Sequence, residues 1–262
     1  MPNTIYELLW MFFIYAAIGW CAEVIYVGLN KGHFVNRGFF NGPICPIYGF
    51  GVVIVASALT PLKENGIILF LGSLVLTTIL EYLTGLILEK LFHEKWWDYS
   101  DMPFNIHGYV CLKFSVYWGL GCMVIMNGIH PLVCKSIRFM PEKIGTVILV
   151  ILCIYFFADL SVTVNTLLKF NKNLRALEKM AEAIHKLSDE VGEDIFEKAS
   201  LVAGKKEDIH ADLKEKRMEL ERLNVEYKQL LEKRYARFKR LIKAFPNMQS
   251  KKLEELLQQL RK

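Results

Sequence analysis

The chain has 262 residues, of which 53% are hydrophobic and 23% are charged, and its formal net charge is +5. A mean hydropathy of +0.27 is too high for an ordinary soluble protein. The six cysteines lie in or beside long apolar segments, which excludes a secreted disulfide framework.

The charges are unevenly distributed along the chain. Residues 1–168 hold nine of the 32 Lys and Arg residues and ten of the 27 Asp and Glu residues. The remaining 23 basic and 17 acidic residues give residues 169–262 a net charge of +6. We therefore predict an all-α protein with a transmembrane domain at 1–168 and a basic cytoplasmic helical tail at 169–262.

Apolar segments divide the first part of the chain into predicted membrane spans, each of which needs about 20 residues. Five segments qualify or nearly qualify: residues 5–29, 44–60, 66–91, 111–132 and 144–168. The second segment is short, and its opening prolines and glycines leave two interpretations, a tilted span or a re-entrant segment.

The Lys and Arg bias predicts the orientation of this multi-pass protein in the cell membrane. The basic tail is expected in the cytoplasm, so five spans place the N-terminus outside. The loop at 133–143 disagrees with this orientation, because its basic residues Lys135, Arg138 and Lys143 would then lie outside.

One pattern occurs twice: an acid in an apolar segment, then Phe-Asn, then Gly-x-(Ile/Val)-Cys. The first copy joins Glu23 to Phe40-Asn41-Gly42-Pro43-Ile44-Cys45, and the second joins Glu81 to Phe104-Asn105-Ile106-His107-Gly108-Tyr109-Val110-Cys111. Two tandem repeats of two spans each, at about 10–60 and 68–130, would share one orientation. Such parallel repeats can form a transport site at their interface. Chance similarity of two short motifs is the alternative.

Three acids lie within predicted spans: Glu23, Glu81 and Asp159. A charge exposed to lipid costs a few kcal/mol, so each acid is expected to face the interior of the helix bundle. One hypothesis is a proton or cation relay, or a site for a cationic substrate. The other is that these acids are protonated or hydrogen-bonded packing groups.

The two loops that contain the repeated motif supply further candidates for substrate binding. They are Arg37, Asn41, Trp97, Asp98, Asn105 and His107. Arg37 is expected to pair with an acid of the other loop, such as Asp98 or Asp101, or with a lipid phosphate. The aromatic residues of these loops form either an interfacial belt or a structured cytoplasmic lid.

The tail has apolar residues at alternating spacings of three and four, which predicts a coiled-coil helical hairpin with its turn at Gly204. A basic cluster near its end could bind membrane lipid or a protein partner. Its members are Lys233, Arg234, Arg237, Lys239 and Arg240. The tail could also form a homo-oligomer, and no motif favours nucleic acid.

Motifs of common enzymes are absent from the sequence. Gly204-Lys205 lacks the flanking residues of a Walker A loop, and there is no HExxH or Gly-x-Ser-x-Gly motif. We therefore predict no ATPase activity of the chain itself, no metal and no cofactor, and an enzyme is the less favoured class.

Two stretches carry a resemblance to a known family. They are NRGFFNGPICPIYGFG at 36–51 and LEYLTGLILEKLFHEKWWDYSDMPFNIHGYVCLKFSVYWGLG at 80–121. Over about residues 5–168 the chain resembles the bacterial membrane family called Putative ABC-transporter type IV, the CmpB-like permeases. The resemblance implies a permease component that works with a separate ATP-hydrolysing subunit.

Three functional hypotheses follow. The first is a permease-like subunit for a small polar or cationic solute or an ion, with its site between the repeats. The second is a membrane enzyme acting on a lipid headgroup, with Asp98, His107 and Arg37 as candidates. The third is a scaffold that recruits a partner through its coiled coil.

Overall fold

The structure is a computed structural model that describes residues 4–93, 95–200 and 214–230. These residues are nearly all helical. Contacts divide the chain into two compact units, and within the described residues the first unit ends at Leu167 and the second begins at Leu168.

The first helix pair consists of α1 (Ile5–Lys31) and α2 (Pro46–Leu59). Thr4 caps α1 by accepting a hydrogen bond from the Glu7 backbone N–H at 3.2 Å. Gly32 ends α1 in the left-handed conformation, with φ of 70°, where glycine carries no steric penalty. The first loop (residues 32–45) then leads to α2, which opens on Pro46, a residue suited to the first helical turn.

The second helix pair consists of α3 (Gly66–Phe92) and α4 (Leu112–Val124). A short 3₁₀ turn, Thr60–Leu62, leads from α2 toward α3. The side chain of Asn65 caps α3 by accepting hydrogen bonds from two backbone N–H groups. The second loop (residues 93–111) precedes α4 and contains a two-stranded antiparallel hairpin, β1 (Asn105–Ile106) with β2 (Val110–Cys111).

The helix after α4 is longer than the sequence predicts. A π-helical turn, Ile125–Ile129, connects α4 directly to α5 (His130–Phe139). Pro131 cannot donate to the preceding turn and crowds its carbonyl, and the wider π turn accommodates this residue. The predicted loop at 133–143 is therefore wrong over most of its length, because Lys135 and Arg138 lie on α5.

The last long helix, α6, runs from Glu142 to Ser200. The structure also describes residues 214–230 of the tail as helical. In that segment Leu220, Leu223, Tyr227 and Leu230, which repeat at alternating spacings of three and four, are less exposed than most of their neighbours. The predicted turn at Gly204 lies outside the described residues, so the helical hairpin stays a prediction.

Four helices are long and apolar enough to cross a membrane. They are Ile5–Asn30, Gly66–Phe92, Leu112–Phe139 and Glu142–Lys169. The segment Pro46–Leu62 is apolar but shorter. The chain is therefore a polytopic helical membrane protein.

Glycines let the helices of each pair approach closely. A Cβ at Gly49 would lie 2.6 Å from the backbone oxygen of Phe12, so α2 packs directly on the α1 backbone. A Cβ at Gly119 would lie 3.0 Å from the Phe70 ring, so α4 packs closely on side chains of α3. In both pairs the helix after the loop contacts the helix before it through a glycine.

The α1–α2 contact gives a direct test of this packing. Gly49→Ala should lower stability by about 1–3 kcal/mol, because the new methyl group forces two backbones apart. The matched control is Gly51→Ala, whose Cβ would lie 3.5 Å from Leu80, an ordinary contact. Thermal unfolding of the purified protein in detergent compares the two variants, and equal melting temperatures would contradict the packing.

Candidate site between the helix pairs

Glu23 is held by two residues from the segment that follows α1. Arg37 of the first loop forms an ion pair with it, with Nη1 and Oε2 3.2 Å apart. The Tyr48 hydroxyl of α2 donates a hydrogen bond of 2.6 Å to Oε1. Both carboxylate oxygens therefore have partners. Arg37 pairs with Glu23 rather than with Asp98 or Asp101, the partners that the sequence suggested.

Glu81 occupies a different environment on α3. Only 6% of its surface is exposed, and its Oε1 accepts a hydrogen bond of 3.3 Å from the Tyr99 hydroxyl of the second loop. The indole of Trp118 on α4 lies near the same carboxylate. Among the residues that the structure describes, none forms a hydrogen bond to the buried Oε2.

The aromatic partners of the two acids meet between the helix pairs. The rings of Tyr48 and Trp118 pack edge to face, with their centroids 5.3 Å apart. Glu23 of the first helix pair is thus connected to Glu81 of the second through the contact between their aromatic partners. We call Glu23, Glu81 and their aromatic partners Tyr48 and Trp118 the inter-pair site.

Tyr99 connects the second loop to this site. Burial raises the pKa of Tyr99, the nearby Glu81 carboxylate raises it further, and the Arg37 guanidinium opposes the shift. The phenol therefore remains a hydrogen-bond donor at neutral pH. The influence of Arg37 on Tyr99 also places the first loop near the second.

Asp159 lies on α6 and fixes the first loop by hydrogen bonding. Its Oδ1 accepts from the Asn41 backbone N–H at 3.2 Å and from Asn41 Nδ2 at 2.8 Å. Its Oδ2 accepts from the Gly42 backbone N–H at 2.8 Å, and Thr163 donates to Oδ1 at 3.3 Å. The structure brings two predicted residues together here, and their hydrogen bonds satisfy the carboxylate.

The geometry of the second loop depends on its own polar side chains. Asn105 Nδ2 donates to the carbonyls of Ser100 and Met102, at 3.1 and 2.8 Å. Asp98 accepts from the Ser100 backbone N–H at 3.0 Å. Gly108, at φ of 75°, lies against Asp98 so closely that a Cβ would be 2.2 Å from its Oδ1. These contacts shape the loop.

The remaining predicted residues of the second loop lie at its contact with α3. Trp97 Nε1 donates a 2.8 Å hydrogen bond to the Tyr109 carbonyl, and His107 Nδ1 lies 3.2 Å from the Tyr82 hydroxyl. The hydrogen bond from Tyr109 to Glu89, at 2.7 Å, raises the pKa of Tyr109 to about 12. His107 and Tyr109 therefore hold the loop on α3, whereas the hydrogen bond of Trp97 lies within the loop.

Aromatic residues join the two loops. Phe39 of the first loop packs against Trp96 of the second at a centroid distance of 5.2 Å and against Phe92 at 6.2 Å. Phe92 and Trp96 are almost fully buried in the protein, at 3% and 4% exposure. The two loops thus lie at the same end of the helices.

Sequence reasoning missed several residues of the site. Tyr48, Trp118 and Tyr99 provide the contacts to the two acids, and none was singled out for this role. One usable signal is that Tyr48 and Trp118 each precede a Gly-x-Gly sequence, Gly49-Phe50-Gly51 and Gly119-Leu120-Gly121. His130, beside the π turn, was also missed, and it contacts Tyr15 at 3.2 Å and Cys134 at 3.5 Å.

Two other sequence predictions concern a basic cluster and metal binding. The basic cluster Lys233, Arg234, Arg237, Lys239 and Arg240 lies outside the described residues. Within residues 4–93, 95–200 and 214–230, no group of three or more His, Cys, Asp or Glu side chains could hold a metal ion. The six cysteines are all free.

Comparison with known proteins assigns the membrane part of the chain. A family model described as Putative ABC-transporter type IV matches residues 10–164, more than half of the chain. The chain belongs to this family. The match contains the inter-pair site and Asp159, and it confirms the resemblance carried by the two loop motifs. Neither the curated proteins nor the solved structures contain a match.

The Asp159 contacts give a testable prediction about the stability of the first loop in this member of the family. Asp159→Ala should destabilise the first loop by about 3 kcal/mol, because hydrogen bonds to a charged group contribute about 1.5–3 kcal/mol each and are not fully additive. Ser161→Ala is the matched control, since the Ser161 hydroxyl donates only to the Phe157 carbonyl of its own helix. Limited proteolysis should cut the first loop faster in Asp159→Ala, and unchanged cleavage would contradict this role.

Proposed function

We propose that this protein is a permease-like subunit of a membrane transporter for a small polar or cationic solute or an ion. The observation that carries the proposal is the inter-pair site. Two intramembrane acids from different helix pairs are linked through the Tyr48–Trp118 contact. Intramembrane acids are costly and commonly mark substrate or ion pathways.

The direction of α2 supports five membrane crossings. The first loop, before α2, and the second loop, after α3, contact each other through Phe39 and Trp96. The start of α2 and the end of α3 therefore lie at one end of the helices, so α2 must lead to the other end. Its 14 residues span about 21 Å at 1.5 Å per residue, and the Thr60–Leu62 turn adds length. We therefore favour a short span over a re-entrant segment.

Equivalent contacts support two tandem repeats. Phe12 and Phe70 each lie 11 residues before an acid, Glu23 or Glu81. Each packs against the first glycine of a Gly-x-Gly sequence on the following helix. The residue before that glycine, Tyr48 or Trp118, lies near the acid. These equivalent contacts favour tandem repeats over a chance match of short motifs.

Orientation and partners complete the proposal. The Lys- and Arg-rich tail at 169–262 favours an orientation with the C-terminus and both motif loops in the cytoplasm and the N-terminus outside. The sequence has no Walker A loop, so an ATP-hydrolysing subunit would be a separate chain. The tail could recruit such a partner, contact membrane lipids or join copies of the chain through its predicted coiled coil.

The lipid-headgroup enzyme receives less support. Its three candidate residues have different partners: Arg37 pairs with Glu23, Asp98 with Ser100, and His107 with Tyr82. A catalytic site for a phosphate ester requires such groups to converge on one reacting centre. The inter-pair site brings its groups together, and it therefore favours transport.

Replacement of the two acids tests the transport proposal. Solutes that co-purify with the wild-type protein are identified by mass spectrometry and tested for flux in proteoliposomes, together with protons, potassium and methylammonium. Glu81→Gln should lower flux at least about tenfold, which corresponds to about 1.4 kcal/mol. Glu64→Gln, in the exposed turn before α3, is the control and should retain flux. Flux that persists in the double variant Glu23→Gln/Glu81→Gln would refute the proposal.

A further inference from the structure

The two acids of the inter-pair site differ in charge compensation. Glu23 has a full positive charge beside it, the Arg37 guanidinium at 3.2 Å, and a hydrogen bond from Tyr48. The groups at the Glu81 carboxylate, the Tyr99 hydroxyl and the Trp118 indole, are neutral. Glu23 and Glu81 occupy equivalent positions in the two helix pairs, but only Glu23 has a positively charged partner.

The burial of Glu81 makes its lack of a counter-charge energetically important. Glu81 is 94% buried, since 6% of it is exposed, and its Oε2 has no hydrogen-bond partner among the described residues. Three ion pairs are found in the described part of the chain, and none includes Glu81. A buried ionised carboxylate without a counter-charge is very unfavourable, so the group either binds a proton or acquires a cation.

We infer that Glu81 is the cation subsite of the inter-pair site, where it receives a single positive charge from outside the chain. The charge arrives as a proton or on a small monovalent cation such as an alkali or ammonium ion. This inference rests on the proposed transport function and adds the charge of the species that binds there.

The surroundings of Glu81 fit one positive charge and no more. The carboxylate supplies one negative charge, and Arg37 already balances Glu23. Aromatic rings lie close to the subsite: Tyr99, which stacks on Phe114 at 4.8 Å, and Trp118, which contacts Tyr48. These two residues direct a hydroxyl and an indole N–H at the carboxylate, so they add no charge to the subsite.

Several other titratable groups lie near Glu81, and their own protonation has to be distinguished from that of Glu81. On the loop side these are Tyr99, Cys111 and Arg37, and on the α2 side they are Tyr48 and Cys45, which also interact with Glu23. Tyrosines and thiols titrate well above neutral pH when unperturbed, and arginine stays charged. Glu81 is therefore the group whose protonation the experiment can isolate.

The first arm of the test measures cation binding to the purified full-length protein in detergent. Thermal unfolding is followed while sodium, potassium, ammonium, methylammonium or tetramethylammonium chloride is added at constant ionic strength, balanced with N-methyl-D-glucamine chloride. If a cation binds, one salt should raise the melting temperature saturably. Glu81→Gln should weaken its apparent affinity at least about tenfold, whereas Glu64→Gln should leave the affinity unchanged.

The second arm detects a proton on Glu81 by infrared spectroscopy at neutral pH. A protonated carboxyl group gives a C=O stretch that Glu81→Gln removes and Glu64→Gln retains. Glu81→Asp keeps a carboxyl group and should shift this band rather than abolish it. It also serves as the test variant if Glu81→Gln does not fold. A bound cation would leave Glu81 ionised, so the two arms distinguish the two sources of charge.

The outcomes separate this inference from the proposed function. If no cation binds through Glu81 and no carboxyl band depends on it, the inference is wrong. Flux that still requires the inter-pair site would then leave the transport proposal standing. Conversely, a proton or cation at Glu81 in a protein without flux would support the inference and overturn the transport proposal.

Discussion

Acids inside the membrane-spanning part of a protein have to be satisfied by the protein itself, because hydrocarbon provides no hydrogen bonds. Here the loops meet that requirement. The first loop supplies Arg37 to Glu23 and the Asn41 and Gly42 backbone to Asp159, and the second loop supplies Tyr99 to Glu81. The positions of both loops, and hence of the helices that they connect, depend on these contacts.

The three acids meet the same requirement with different chemistry. Asp159 is saturated by hydrogen bonds and acts as an anchor, while Glu23 is neutralised by an ion pair. Glu81 is surrounded by neutral donors and is the acid that remains available to an external charge. One constraint thus yields two structural residues and one functional candidate, and only the contacts reveal which acid has which role.

Much of the helical framework could be predicted from the sequence, because membrane thickness sets the length of an apolar helix. The predicted spans 5–29 and 66–91 differ by no more than two residues at each end from Ile5–Lys31 and Gly66–Phe92. The helix through Pro131 could not be predicted, because a proline inside an apolar segment normally ends or kinks a helix.

The site was predicted in part, for a physical reason. A charged residue stands out in an apolar segment, so Glu23, Glu81 and Asp159 were recognisable. Their partners Tyr48 and Trp118 were not, because an aromatic residue in a membrane helix is common and carries no periodic signal. These residues gain their roles from contacts between helices, which no local pattern encodes.

The contacts between the loops have a mechanical consequence for the whole bundle. The loop end of the helices is fastened by an ion pair, the Asp159 hydrogen bonds and the Phe39–Trp96 packing. At the opposite end, Arg138 pairs with Glu7 at 3.7 Å, and two-thirds of the Arg138 side chain is exposed, a geometry that contributes little stability. The bundle is therefore held by directional polar contacts at the loop end and by the apolar packing of Trp10, Val133 and Ile137 at the other.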